Sequence, residues 1–338
     1  MKRNLRAFIL LLLVSFLMSC NQNPTEDYIE LVGEAQGTTF YISYFDSTQT
    51  DFSNELQTIL QEFDEQVSTY KPRSVINQFN DNVVDTIWKS KFPYLYQSFS
   101  LSAEVTHYTK GYFDAGVYPL IQLIKSSDSL LTQGNETLDS VLSIPRNFVL
   151  NKDYVTKEDK RSQFNFNAIA QGYSVDVLAA FFDEKGVESY MVEIGGELRV
   201  RGKNKQGKLW TISLESPNST RENRSVQEMI EVDDLSVVTS GSYRKFQEID
   251  GKKYSHAINP FTGQGVNHNL LSVTVVTKDA SIADGLATAF LVMGKEKTIE
   301  FVKANDLYEV SILYIETNEN GEFVSSYFGN FEKMMLVD

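Results

Sequence analysis

Helix-spaced and strand-spaced apolar residues occupy different stretches of this chain, and that separation restricts its fold more than any other feature. Phe40-Tyr41-Ile42-Ser43-Tyr44-Phe45 is aromatic and β-branched and reads as a strand. Leu56, Ile59, Leu60, Phe63 and Val67 then recur at helical spacing, with Asp51 or Ser53 as N-cap. Leu95, Phe99 and Val105 mark a second helix ending before Gly111, and 117–124 and 138–142 read as shorter ones. Phe148-Val149-Leu150 and Gln163-Phe164-Asn165-Phe166 read as strands on either side of a charged turn. A helix over 168–185 is closed by Gly186. Strands follow at 190–194, 198–201, 209–214, 226–232, 236–239 and 271–276, and a last helix spans 281–293, with Gly294 just past its end. Helices and strands in separate runs predict an α+β fold, a single compact domain with mixed or antiparallel sheets and flanking helices, rather than a doubly wound parallel sheet. No internal repeat or low-complexity block interrupts it.

The first residues stand apart from that domain. Lys2, Arg3 and Arg6 precede an apolar run from Ala7 to Met18 broken only by Ser15. The run is short for a spanning helix and fits the apolar core of a secretory signal. It ends in Leu17-Met18-Ser19-Cys20, which resembles a lipobox, so cleavage before Cys20 would leave that residue to carry lipid. The expected organisation is a lipoprotein signal peptide at 1–19, a lipidated polar tether at 20–27 and one domain at 28–338. The expected location is extracytoplasmic, on the periplasmic side of a bacterial membrane. Cys20 is the only cysteine, which excludes an internal disulfide and any Cys-based metal cluster. The chain carries a net charge of −14, and −17 without the three basic residues of the leader. Such a surface repels nucleic acid and anionic headgroups, so membrane attachment would come from acyl chains.

Several familiar motifs are absent or fail. The stretch Gly202 to Lys208 has P-loop spacing, but Leu209 follows the lysine and the segment lies between strands, so it reads as a hairpin turn. The chain has no G-x-G-x-x-G and no G-x-S-x-G, and His107, His256 and His268 lack zinc-ligand spacing.

Four segments have chemistry to offer. Asp284 and Thr288 are four apart and share a helix face; they suit either a hard-oxygen half-site for Mg²⁺ or a helix-dipole partner and a back-bonded hydroxyl. The run Thr239-Ser240-Gly241-Ser242-Tyr243-Arg244, with His256 in the next strand, suits either an anion site with a proton acceptor or a plain hairpin. Ala168 to Asp176 enters a helix with Gly172 near its start, which admits a ligand or tight packing. Gly111-Tyr112-Phe113-Asp114 is an aromatic turn whose Phe113 fits a flavin border or the core equally.

These segments occur in an order that resembles the ApbE family, the bacterial FAD:protein FMN transferases. The resemblance is carried by Gly37-Thr38-Thr39-Phe40, Ser68-Thr69-Tyr70-Lys71, Gly111 to Asp114 and Ala168 to Asp176. It continues through Val192-Glu193-Ile194-Gly195-Gly196-Glu197-Leu198, Thr239 to Arg244, Tyr254 to Pro260 and Ala283 to Leu291. It implies an α+β domain with FAD in a cleft. It implies Mg²⁺ on the side chains of Asp284 and Thr288, with the backbone of Ala168 and Ala287 close by. It also implies an FAD site lined by Gln36, Tyr70, Tyr112, Phe113, Asp114, Asn165, Gln171 and Ile258, with His256 beside the pyrophosphate. Gln36, Gln171 and Asn165 depart from the Met, Lys and Asp usual at their places.

The implied reaction is transfer of FMN to a Thr or Ser hydroxyl on a partner, a flavoprotein subunit of a membrane redox complex, with release of AMP. His256 or Asp284 takes the hydroxyl proton. Two other readings share the site: FAD hydrolysis to FMN and AMP, and a flavin-binding lipoprotein without catalysis.

Overall fold

The structure is a computed structural model that describes residues 28–127, 134–220, 223–242, 246–249, 252–255, 257–305 and 309–336. The leader, the tether with Cys20, and His256 lie outside the described residues.

Fifteen strands are assigned among the described residues. They are β1 Ile29–Ala35, β2 Thr38–Phe45, β3 Thr86–Trp88, β4 Phe148–Leu150, β5 Tyr154–Lys157, β6 Ser189–Ile194, β7 Glu197–Arg201 and β8 Trp210–Glu215, then β9 Val226–Val232, β10 Leu235–Gly241, β11 Phe246–Ile249, β12 Lys252–Ser255, β13 Leu270–Thr277, β14 Ser311–Thr317 and β15 Phe323–Phe328. Eight of them form one antiparallel sheet in the order β1-β2-β6-β7-β10-β13-β14-β15. The pleat explains how the sheet is covered on both sides. In β14, Ile312 and Tyr314 enter one apolar cluster while Leu313 and Ile315 enter another. The first cluster is roofed by the Ala170–Glu184 and Ala280–Met293 helices. The second lies under the β8–β9 hairpin and the short Phe331–Met334 helix, with Trp210, Ile230 and Phe331 buried.

The Ala280–Met293 helix is the centre of the molecule. Every one of its residues except Thr288 is buried. Small residues let neighbours approach on two sides. A Cβ on Gly285 would meet Val105 of the Pro93–Tyr108 helix at 2.9 Å, and one on Gly172 would meet the Ala280 carbonyl at 2.3 Å. At Gly285 the neighbour is a side chain, and at Gly172 it is the backbone of the other helix. Helices Ser53–Val67, Tyr118–Ser126 and Glu136–Leu142 and the small sheet β3-β5-β4 complete the helical side.

Three local expectations are corrected. Residues 163–166 are not a strand. Phe164 and Phe166 are both fully buried against Phe99, at 5.1 and 4.8 Å between ring centroids, which produces the strand-like alternation. The ladder partner is replaced by one side chain: Asn80 Nδ2 donates to the Phe164 carbonyl and Asn80 Oδ1 accepts from the Phe164 N–H, both at 2.9 Å. The Ser53–Val67 helix is capped by neither candidate; its N-cap position is Phe52, with no side-chain cap bond, and Asp51 Oδ1 accepts from Ser53 N–H instead. Residues 202–208 form a turn closed by Asn204, but β7 and β8 on its two sides belong to different sheets, so it is not a hairpin.

Candidate active site

The Ala170–Glu184 helix crosses the Ala280–Met293 helix at Gly172, and the absence of a side chain there lets the Gly172 N–H donate to Asp284 Oδ2 at 3.0 Å. Asp284 is 5% exposed, and no described group donates to its other oxygen. Burial pushes its carboxyl up to about 7; the Gly172 N–H opposes the rise and the Asp176 carboxylate adds to it. One turn further along, Thr288 Oγ1 lies 3.2 Å from Ser240 Oγ at the end of β10. A buried carboxylate with one unpaired oxygen and an aligned hydroxyl form a hard-oxygen donor pair, which fits Mg²⁺. Among the described residues no group of three or more His, Cys, Asp or Glu side chains is placed to hold a metal, so backbone and substrate oxygens would complete the shell. Ala168 sits in the turn just before the Ala170–Glu184 helix, and the Ala287 methyl is fully buried beside Thr288.

The other candidates gather around the start of the same helix. Gln171 reaches over the β6–β7 turn, where a Cβ on Gly195 would lie 2.4 Å from its Nε2 and 2.9 Å from Thr38. The Gly195 N–H donates to the Thr39 carbonyl at 3.0 Å, which ties that turn to the β1–β2 turn carrying Gln36. Gln36 has a left-handed φ of 54°, and its Nε2 is buried without a hydrogen-bond partner among the described residues. A buried, unsatisfied amide is costly in the free protein and suits a residue that meets a polar ligand.

On the opposite side, Asn165 Oδ1 accepts from Asn167 N–H at 2.7 Å, and Asn167 Nδ2 donates to Tyr70 Oη at 3.0 Å. The Tyr70 side chain is exposed there. Asn165 N–H also donates to the Ala115 carbonyl at 2.9 Å, joining this corner to the aromatic turn.

The members of that turn differ in what they can do. The Tyr112 ring packs edge-on against Phe261 at 5.0 Å, with Lys297 over its face at 4.5 Å. Phe113 is 2% exposed and lies in the core, so its ring has no face for a ligand. Asp114 accepts from the Gly116 N–H at 2.7 Å and pairs with Arg146 at 3.0 Å. Burial raises its carboxyl and Arg146 opposes the rise. Arg146 also donates to the Pro260 carbonyl at 2.9 Å, which fastens the aromatic turn to the loop carrying Ile258. Ile258 itself bridges to Gly265 across that loop.

Asn80, Arg146 and Asn167 are polar groups that the sequence pattern did not single out, whereas Ser240 belongs to the run Thr239 to Arg244 read there as a candidate anion site. Asp176 is a further polar group. Its carboxylate accepts from the N–H groups of Ala280 and Ser281 at 2.9 and 2.8 Å. Its four-residue spacing from Gly172 was the signal available.

One helix thus presents a buried carboxylate held by the neighbouring helix and, a turn later, a hydroxyl beside the end of β10, while the amide and aromatic turns carry the remaining candidates. The sequence matches the ApbE family over residues 36–312, and the chain belongs to that family. It is 33% identical to the FAD:protein FMN transferase of Vibrio cholerae, covering 95% of this chain and 98% of that one. It is 29% identical to that of Haemophilus influenzae, covering 99% of each. Among solved structures it is similar to the flavin transferase ApbE from Vibrio cholerae, with a TM-score of 0.76 and 32% identity over 91% of this chain and 99% of that one. Pseudomonas stutzeri flavinyl transferase ApbE in its apo form superposes with a TM-score of 0.78 at 28% identity, over 91% and 96%.

Proposed function

We infer that this chain is a transferase that moves FMN from FAD to a protein acceptor, and we propose that Mg²⁺ held by Asp284 and Thr288 supports the step. The observation that carries the proposal is the Asp284 carboxylate, buried with one oxygen on the Gly172 N–H and the other without a donor among the described residues, one helical turn from an incompletely buried hydroxyl. The family membership and the near-complete coverage by transferases support the reaction class.

An acceptor Thr or Ser oxygen attacks the phosphorus on the FMN side of the pyrophosphate. A phosphoester bond forms, the bond to the AMP oxygen breaks, and the hydroxyl proton leaves to a base. A bound Mg²⁺ supplies charge neutralisation at the phosphate oxygens. The Gly172 N–H fixes the orientation of Asp284, and the Ser240 hydroxyl fixes Thr288. His256 and Asp284 are the two candidate bases for the hydroxyl proton. Gln36, Gln171, Asn165, Tyr70, Tyr112 and Ile258 are the groups we assign to holding FAD.

The test incubates the pure protein with FAD, Mg²⁺ and a candidate acceptor. Covalent flavin on the acceptor with release of AMP supports transfer. Free FMN with AMP makes water the acceptor, and unchanged FAD refutes catalysis. Asp284→Ala is expected to abolish the reaction, and Thr288→Val to weaken it with partial rescue by raised Mg²⁺.

We also propose that Cys20 is lipidated, anchoring the enzyme at the extracytoplasmic face of a membrane where flavoprotein subunits of redox complexes serve as acceptors. The basic leader, the apolar run and the position of the lone cysteine support this. Cys20→Ser is expected to move the protein to the soluble fraction; unchanged membrane retention refutes the anchor.

A further inference from the structure

The helix that carries Asp284 is not capped from its own N-cap position. Asp279 at its N-cap position makes no side-chain cap bond. The cap arrives from the neighbouring helix: Asp176 Oδ1 accepts from Ala280 N–H at 2.9 Å and Oδ2 from Ser281 N–H at 2.8 Å. Both carboxylate oxygens are spent on the two leading amides, where the helix dipole favours negative charge.

Asp176 lies one turn beyond Gly172, so both face the same partner. Ala280 and Asp284 stand in the same relation on the other helix. Gly172 meets Asp284 through its N–H and Ala280 through the missing side chain, while Asp176 holds Ala280 and Ser281. Arg199, on β7 and 8% exposed, secures the arrangement from below. Its Nη1 is 3.3 Å from Asp176 Oδ1 and 3.3 Å from Asp279 Oδ1, and its Nη2 is 3.8 Å from Asp234.

Resting on the metal reading above, we propose that Asp176, clamped by Arg199, is a positioning residue that holds the first turn of the Ala280–Met293 helix, and so the Asp284 carboxylate, in the orientation that receives the divalent cation. Asp284 follows Ala280 by four residues. If the leading amides lose their cap, the turn that sets the Asp284 backbone is the one that frays. Asparagine is the informative replacement. It keeps the shape, but its amide group turns a donor toward Ala280 N–H and Arg199 or toward Ser281 N–H, so one of the two cap bonds becomes a clash of donors.

The experiment is calorimetric titration of the full-length protein with Mg²⁺, at a temperature where each variant is folded, alongside melting curves. Asp176→Asn is expected to weaken Mg²⁺ binding by about 10–100-fold, the range typical of groups that orient a metal ligand. The Mg²⁺ concentration for half-maximal transfer rises in parallel, and kcat at saturating Mg²⁺ changes little. Leu60→Ala, a buried deletion in the Ser53–Val67 helix, serves as the stability control and lowers the melting temperature without changing Mg²⁺ affinity. If Asp176→Asn melts earlier but binds Mg²⁺ within about two-fold of wild type, its role is structural only and the proposal is wrong. Should Asp176→Asn not fold, Arg199→Lys, which loosens the clamp and keeps its charge, must show the weakened Mg²⁺ affinity; an unchanged affinity overturns the proposal. Asp284→Ala separates the two levels of inference. If it binds Mg²⁺ like wild type, the metal reading falls and takes this one with it. If it loses Mg²⁺ while both Asp176→Asn and Arg199→Lys keep it, only the positioning role is refuted.

Discussion

Replacing Gly172 by alanine tests the helix crossing on which the whole site depends. The new Cβ would lie 2.3 Å from the Ala280 carbonyl oxygen, 2.7 Å from its carbon and 2.8 Å from Asp284 Cβ. Ordinary contact begins at 3.4 Å, so the helices must part by about 1 Å. No flexible side-chain end is available to give way, because the nearest atoms are backbone. Overpacking of this kind costs about 1–3 kcal/mol. A separation of that size also takes the 3.0 Å bond from Gly172 N–H to Asp284 out of range, and a lost bond to a charged group costs about 1.5–3 kcal/mol. Alanine recovers about 1 kcal/mol of helix propensity. The balance is a destabilisation of about 2–5 kcal/mol, or about 3–8 °C in melting temperature for a domain of this size. Urea unfolding and thermal melting read it directly, and flavin transfer is expected to fall with it because Asp284 moves. A Gly172→Ala protein as stable as wild type, with normal flavin transfer, would refute the close crossing and with it the orientation assigned to Asp284.

Two further outcomes follow from buried polar groups. Asn80→Ala strands the buried N–H and carbonyl of Phe164 and is expected to cost about 2–4 kcal/mol in urea unfolding; Asn80→Asp also destabilises, since a carboxylate cannot donate to that carbonyl, and a loss below about 1 kcal/mol for both contradicts the pairing. For Asp284 the folded-state carboxyl sits above its unfolded value, so in EDTA its burial opposes folding at pH above about 7 and ceases to do so as the pH falls toward 4. Asp284→Asn, which carries no charge, is therefore expected to be more stable than wild type at pH 8 in EDTA, with the difference shrinking by pH 5; a pH-independent difference counts against the raised value.

What was legible in the sequence was whatever depends on near neighbours along the chain. The long helices appear at nearly their observed limits, because apolar spacing and the glycines at 186 and 294 are local signals. The pairing of Asp284 with Thr288 is likewise a property of one helix, and so was readable from spacing of four. The signal failed where a side chain from afar replaced the expected partner. Residues 163–166 alternate like a strand, yet Asn80, 84 positions earlier, supplies their hydrogen bonds. The edge strands β1 and β15 and the inner strand β14 were not read, although together they give the sheet three of its eight members.

Residue spacing alone settles the class of fold, the ordered motifs and the oxygen pair. The place of Gly172 at a helix crossing, the burial of Phe113 in the core and the capping by Asp176 of a helix more than a hundred residues away come from packing between elements. The physical reason is that periodicity reports which face of an element is buried, whereas hydrogen bonds and close contacts between elements depend on how two such faces meet. That meeting is set by the packing of the entire core and leaves no trace in the spacing of either segment alone.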